Sequence, residues 1–356
     1  MKNITFPVII VFVSVIFICS CSGKTEKSRK PVSKIEWVSS SKKLTIGKPL
    51  TFKISTKLKD GQLKKVQVFL NNKLLMSSEQ TEFSYTIPEL SEVGICTLRV
   101  VAEKTDGVSN SRNQDFTVLS DIVPVKYKYT VVKAYKHYTD HFTQGFQFVD
   151  GFLYEGTGEN GKSAIYKINL TNNKILQSRS LPEKYFGEGI TVFHDKIYQL
   201  TYKNQTGFVY NLSDFAVIDS FKFDSQEGWG LTNDGKSLIM SDGTGTITWL
   251  NPQNFSVERR IQATDNLKAL QNVNELEYDN GTLWANIWTS NQIARIDAKS
   301  GKILGYLDLE GILSIMSSQS EKIDVLNGIA LLPSGNMLIT GKFWPKMFEI
   351  RVSESK

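Results

Sequence analysis

Between the glycines of YFGEGIT (185–191), at the start of a strand-like run, the sequence sets one carboxylic acid, Glu188. Flanking glycines weaken a strand through backbone entropy and lost packing, so the placement points to a close approach by something else. The position recurs. Five segments begin alike, at Gln144 (QGFQFVDGFLYEGTG), Glu188 (EGITVFHDKIYQLTY), Trp229 (WGLTNDGKSLIMSDG), Asn274 (NELEYDNGTLWANIW) and Asn327 (NGIALLPSGNMLITGK). Each runs from a polar or aromatic residue into an apolar strand, a Gly/Asp/Asn turn and a second apolar strand, whose end is marked by Glu155, Tyr202, Asp242, Trp288 or Lys342. Polar groups and large aromatics gathered in one concavity form a small-ligand site. The three histidines, His137, His141 and His194, are scattered, and no His/Cys cluster has zinc-ligand spacing, so neither a metal nor another cofactor is expected.

The elements that would bring these positions together follow from the repeat. The segment starts lie 41 to 53 residues apart, the period of propeller blades. Two more strands follow in most repeats, such as AIYKINL then KILQSRSL, and the last repeat is one strand short. The run KYKYTVVKAYKH (126–137) can supply that strand and close the ring, which removes an exposed edge. The expected architecture over 126–352 is a five-bladed β-propeller, its first strands innermost and their starts meeting at one mouth. Glycines beside Glu188 leave room at that crowded mouth.

Before the propeller, KIEWVSS, LTFKIST, KKVQVFLNN, EFSYTIP, CTLRVVAE and QDFTVLS alternate with turn signals, as in a small immunoglobulin-like β-sandwich over 34–121. The chain is therefore expected to be all-β, with SDIVPVK (120–126) as linker and Cys96 as a core thiol. The N-terminus carries Lys2 and then an apolar run from Ile4 to Ile18, too short for a membrane span, which reads as an export signal over 1–20. Ile18-Cys19-Ser20-Cys21 resembles a bacterial lipoprotein lipobox with Cys21 as the lipidated residue, and the polar stretch 21–33 is a flexible tether. The expected location is the cell envelope, on a periplasmic or outer-membrane face. With Cys21 committed to lipid, Cys96 has no disulfide partner, so the fold must be held by its core; 40% hydrophobic and 11% aromatic content supply one. The net charge of +6 is thinly spread and speaks against nucleic-acid binding.

The motifs HFTQGF (141–146), YEGTG (154–158), YFGEGIT (185–191), IYQLTYK (197–203), EGWGLT (227–232), MSDGT (240–244), NELEY (274–278), WANIW (284–288), LNGIA (326–330) and TGKFWPKMFEI (340–350) occur in order across all five repeats. Together they make the region from about 126 to 350 resemble the plant and bacterial type of glutaminyl-peptide cyclotransferase, a five-bladed propeller. The resemblance implies conversion of N-terminal glutamine in peptides or proteins to pyroglutamate, with release of ammonia and without a catalytic metal. It also places the family's acid/base residue on Glu188 and its substrate-binding residues on Phe142, Gln144, Phe186, Trp229, Asn274, Trp288 and Lys342. At Tyr202 this chain departs from the family's tryptophan (QLTY for QLTW), keeping an aromatic face and adding a hydroxyl that wants a partner. A carboxyl raised toward neutrality by aromatic surroundings can take a proton from the attacking amine and return it to the leaving nitrogen. Asn274, Gln144 and Lys342 can hold the carbonyl oxygen as it becomes an oxyanion.

Plainer readings stand beside these. Glu188 can be a fixed partner for backbone amides, Trp229 and Trp288 can be interblade packing, and Lys342 can pair with Glu188, Glu227 or Asp242. Asn327 and Asp242 read as structural, and Glu275 and Glu277 stay outside the catalytic set. The rival function is a non-catalytic peptide-binding propeller on the cell envelope; the complete set Glu188, Asn274 and Lys342 favours an enzyme. For the anchor, replacing Cys21 by Ser is expected to release the protein from the membrane fraction while Cys19→Ser does not. Equal retention of both variants on fractionation sinks the lipobox reading.

Overall fold

The computed structural model describes residues 27–38, 44–315 and 323–354; the leader and Cys21 lie outside the described residues. In Leu50–Lys57 every second side chain (Leu50, Phe52, Ile54, Thr56) is buried, the period of a strand with one face on a core, and Gly94–Lys104 repeats the pattern. Two sheets result. One holds Val32–Trp37, Leu50–Lys57 and Glu82–Ile87; the other runs Leu44–Thr45, Ser109–Leu119, Gly94–Lys104, Leu63–Leu70, Lys73–Ser78. They enclose a core of Phe52, Ile54, Val66, Val68, Cys96, Leu98 and Val100, in which burial pushes the Cys96 thiol up. The sandwich meets the rest of the chain through the Gln262 side-chain amide, which behaves as a short strand edge: Ile95 N–H donates to its Oε1 (2.6 Å) and its Nε2 donates to Ile95 O (3.2 Å). Lys302 and Asp121 add an ion pair at 2.8 Å.

From Val125 to Glu354 the chain forms a ring of four-stranded antiparallel units. The first is Thr143–Val149, Phe152–Thr157, Ala164–Asn169 and Lys174–Ser180; the second is Gly187–Phe193, Lys196–Thr201, Thr206–Asn211 and Val217–Lys222. Leu231–Asn233, Leu238–Ser241, Thr246–Leu250 and Val257–Gln262 make the third, and Val273–Asp279, Thr282–Ile287, Gln292–Asp297 and Ile303–Asp308 the fourth. The fifth has Leu326–Leu331, Met337–Gly341 and Lys346–Glu354, with Val125–Lys136 as its fourth strand. The first strand of each unit neighbours the first strand of the next, and the fifth neighbours the first. Burial follows radius. Every residue of Gly187–Phe193 is buried, whereas the outer strand Lys174–Ser180 exposes most of its side chains, so inner strands read as continuous apolar runs and outer ones alternate.

The closing strand does two jobs. It pairs antiparallel with Lys346–Glu354 along nearly its whole length, and its first residues, Val125 to Tyr127, pair in parallel with Gly305 to Leu307 of the fourth unit. Four inner strands then break register where the repeats begin. Pairing with the second strand skips Gln144 in the first unit, Glu188 and Gly189 in the second, Asn274 and Glu275 in the fourth, and Asn327 and Gly328 in the fifth. Such irregularities re-aim side chains and release backbone groups from the ladder.

The released groups are satisfied by the neighbouring unit. Gly189 N–H donates to Trp229 O at 2.7 Å and Gly328 N–H to Asn286 Oδ1 at 3.0 Å; in the third unit, whose register holds, Gly230 N–H stays within its own unit, on Ser241 Oγ at 2.8 Å. A side chain at Gly189 would stand 2.4 Å from Leu231 N, and one at Gly230 would stand 2.1 Å from Asn274 O. The glycine after the mouth residue therefore lets adjacent inner strands touch backbone to backbone. The fourth unit has Glu275 at that place, and its carboxyl accepts from Phe146 N–H (3.2 Å) and Ile329 N–H (2.9 Å) of the first and fifth units. Each buried backbone donor left without such a partner would cost about 1–3 kcal/mol.

A chain beginning at Pro124 keeps the closing strand and is expected to unfold cooperatively as a ring, whereas one beginning at Tyr138 leaves the fifth unit with an open edge and loses that transition. Thermal melts followed by circular dichroism compare the two, and a cooperative melt of the shorter chain near that of the longer one refutes the closure.

Candidate active site

Three residues at the register breaks, Gln144, Glu188 and Asn274, reach one cavity of about 330 Å³, lined by Phe142, Gln144, Phe186, Glu188, Tyr202, Trp229, Asn274, Trp288, Thr289, Asp324, Val325 and Lys342. All nine residues named from the sequence as catalytic or substrate-binding line it. Thr289, Asp324 and Val325 were not foreseen, because they sit on connections that precede or follow strands rather than at the repeating position.

The walls are aromatic. Phe142 meets Phe186 edge-on at 5.8 Å and Phe343 at 5.2 Å, Phe186 meets Tyr202 at 5.8 Å, and Trp229 meets Trp288 edge-on at 5.5 Å. Trp288 is 40% exposed and forms the rim. Trp229 is oriented by its indole Nε1–H, which donates to Glu227 Oε2 at 3.0 Å, while Lys203 pairs with the other Glu227 oxygen at 3.5 Å. Glu227 is thus committed to holding the wall.

Glu188 lies at the base, 4% exposed. Burial raises its carboxyl well above the usual range, Lys342 opposes the rise and Glu227 adds to it. Gln144 Nε2 donates to Glu188 Oε1 at 3.0 Å, and Gln144 Oε1 accepts from Asn327 Nδ2 at 3.1 Å. Both ends of the Gln144 amide are therefore engaged, one N–H with Glu188 and the oxygen with Asn327. Asn327, read from the sequence as structural, is the residue that sets this orientation; its Nδ2 also donates to Thr143 O at 3.0 Å. Asn274 presents a buried Oδ1 without a partner among the described residues, an acceptor for an incoming N–H. Lys342 makes no ion pair among the described residues; its Nζ stands 4.3 Å from the centre of the Phe142 ring. Burial lowers its ammonium pKa, against the pull of Glu188 and Asp324.

One placement differs from the sequence reading: Glu155, set at a second-strand end, does not line the cavity. Asp242, read as structural, also lies outside it, its Oδ1 accepting from Thr244 N–H and Oγ1–H within its own turn. Glu155 is buried between histidines: its Oε1 lies 3.0 Å from His137 Nε2 and its Oε2 lies 2.8 Å from His141 Nδ1. Burial opposes its ionisation, yet the two rings hold its carboxyl well below the usual range. The histidines counted as scattered are therefore in part a cluster, His137, His141 and Glu155. His137 and His141 have the H-x3-H spacing of zinc ligands, a local signal the sequence reading passed over; the fold brings Glu155 to them.

An all-β ring whose mouth gathers aromatics around one buried carboxyl is an enzyme-like propeller site. Sequence comparison agrees with the geometry: the glutamine cyclotransferase profile matches residues 101–352. The chain belongs to the glutamine cyclotransferase family. It is similar to the glutaminyl-peptide cyclotransferase of Arabidopsis thaliana, with 37% identity over 228 residues, 63% of this chain and 71% of that protein. It is also similar to the crystal structure of Myxococcus xanthus glutaminyl cyclase, with a TM-score of 0.61 and 29% identity, covering 66% of this chain and 100% of that one.

Below the mouth, Glu277 is buried among inner strands, accepting from Leu331 N–H (3.3 Å) and Thr232 Oγ1–H (3.3 Å), and burial pushes its pKa up to about 8. Glu275 is raised as well, by burial and by Glu277. Between the ordinary carboxylate value and the folded one, the native state holds protons that the unfolded chain has released, so stability falls as pH rises. The melting temperature is expected to drop from pH 5 to pH 8, and Glu277→Gln to flatten the slope. Equal slopes for both proteins in calorimetry would contradict the burial argument.

Proposed function

We propose that the protein is a glutaminyl-peptide cyclotransferase that works at Glu188, closing the N-terminal glutamine of peptides or proteins to pyroglutamate. The observation that carries this reading is the buried carboxyl of raised pKa at the base of an aromatic pocket. The substrate brings both reacting groups, its α-amine and its γ-carboxamide. Packing between Phe142, Phe186, Trp229 and Trp288 selects the folded side-chain conformer, and well-oriented intramolecular reactions gain roughly 7–11 kcal/mol in this way.

The rest is proton traffic. The amine nitrogen forms a bond to the amide carbon, and the carbonyl electron pair moves to oxygen. The Glu188 carboxylate takes one proton from the attacking nitrogen. As the carbonyl re-forms, the bond to the carboxamide nitrogen breaks and Glu188 gives that nitrogen its proton, so ammonia leaves. A pKa near the working pH suits both transfers. Lys342 stabilises the oxyanion, and Asn274 Oδ1 receives a substrate N–H. Donors in the pocket are carboxylates, amides, hydroxyls and one amine, with no histidine or cysteine among its lining residues; this favours a reaction carried by Glu188 without a catalytic metal. By its leader and Cys21, the enzyme acts on the cell envelope from a lipid anchor, with the sandwich as spacer.

Glu188→Gln preserves size and removes the proton carrier. Turnover of a Gln-initiated peptide, followed by ammonia release and the matching mass loss, is expected to fall by roughly 10²–10⁴ with an unchanged melting temperature. Trp229→Ala is expected to raise KM chiefly. A Gln variant within a few-fold of wild type overturns the assignment.

A further inference from the structure

We propose that His137, His141 and Glu155 form a site for one divalent metal ion of the zinc class, which staples the seam of the ring. The inference is independent of the cyclase reading, because none of the three lines the pocket.

His137 Nδ1 lies 2.7 Å from Trp344 O, which can only accept, so Nδ1 carries the hydrogen. In the neutral ring Nε2 is then a lone pair. It faces Glu155 Oε1 at 3.0 Å, an oxygen that already accepts from Thr143 Oγ1–H at 2.8 Å. Two lone pairs at that distance require a proton or a metal ion between them. His141 turns Nδ1 to the other oxygen of the same carboxylate at 2.8 Å, and the three ligand atoms lie within 4.8 Å of one another. Two imidazoles and a carboxylate are a donor set for zinc and its first-row neighbours.

Outer partners fix each donor, as they do at metal centres, where the ligand's second nitrogen commonly donates to a carbonyl. Trp344 O holds His137, and the Thr143 hydroxyl holds Glu155. The His141 ring is stacked between Tyr138 at 4.7 Å and Tyr166 at 4.4 Å. The location gives the ion a task. His137 follows the closing strand, Glu155 lies in the first unit, and the Trp344 carbonyl belongs to the fifth. Phe343 N–H also donates to His141 O at 2.8 Å, so one ion would join both ends of the ring just behind Phe142.

The rival is a second proton on His137, which would make a buried imidazolium–carboxylate pair with no ion. The test uses the untagged full chain, stripped with a chelator, reloaded with Zn²⁺ or Co²⁺ and passed through gel filtration. Expected are about one zinc per chain by elemental analysis, a higher melting temperature on loading, and a visible Co²⁺ spectrum of nitrogen and oxygen ligation. His141→Ala and Glu155→Gln are expected to weaken metal affinity at least about 10-fold, by analogy with the loss of outer-shell partners, and His194→Ala to leave it unchanged. If Glu155→Gln does not fold, His141→Ala and the cobalt spectrum decide. A wild-type chain that retains no ion, or variants that retain as much as wild type, overturns the proposal in favour of the proton.

Discussion

Strands that converge on an axis cannot pair laterally as a sheet, yet their backbone groups are buried and must find partners. The ring depends on how this is met. Where four of the repeats begin, the inner strand leaves its own hairpin ladder, and freed groups cross to other units. Gly189 touches the Trp229 backbone, Gly230 touches Asn274, and Glu275 reaches two units at once. The residue beside each crossing, no longer bound by strand alternation, is free to point into the mouth. The pocket is thus a by-product of closing the ring, and its residue types are the part open to choice.

That origin explains why Glu188 sits between two glycines. Gly187 packs against Thr157 O, where a side chain would stand at 2.6 Å, and Gly189 packs against Trp229 O at the same distance. The carboxyl between them is held on both sides by main chain, without bulk that could compete for the cavity. Burial there keeps it dry and raises its pKa against the pull of Lys342. Geometry and acidity come from one arrangement.

Much of this could be read from the residues. The period of the repeat gave the ring, the repeat starts and second-strand ends brought Gln144, Glu188, Tyr202, Trp229, Asn274, Trp288 and Lys342 to one mouth, and the resemblance to the family added Phe142 and Phe186. His137 and His141 did carry a local signal, the H-x3-H spacing of zinc ligands, but Glu155 joins them only through the fold, and no spacing encodes that meeting. Glu155 occupies a second-strand end as Tyr202, Trp288 and Lys342 do, but turns to His137 and His141 instead of the mouth, a choice of face that the repeat pattern leaves open. Glu275 and Glu277 did carry a signal, since residues two apart on a strand share a face, and that face is the interior. Thr289 and Asp324 lie on connections, where periodicity is silent.

The relay Asn327, Gln144, Glu188 binds these levels together. Asn327 belongs to the last inner strand and Gln144 to the first, yet Asn327 decides which end of the Gln144 amide faces the acid: with Nδ2 donating to Gln144 Oε1, only Nε2 remains for Glu188. Were the amide reversed, its oxygen would meet the carboxylate and repel it, disfavouring the charged form that in the proposed reaction accepts a proton. The donor beside Glu188 is therefore in place only once the fifth unit has docked on the first. Closure of the ring and preparation of its acid are one event, which is why the seam, more than any single blade, is where stability and activity are expected to move together.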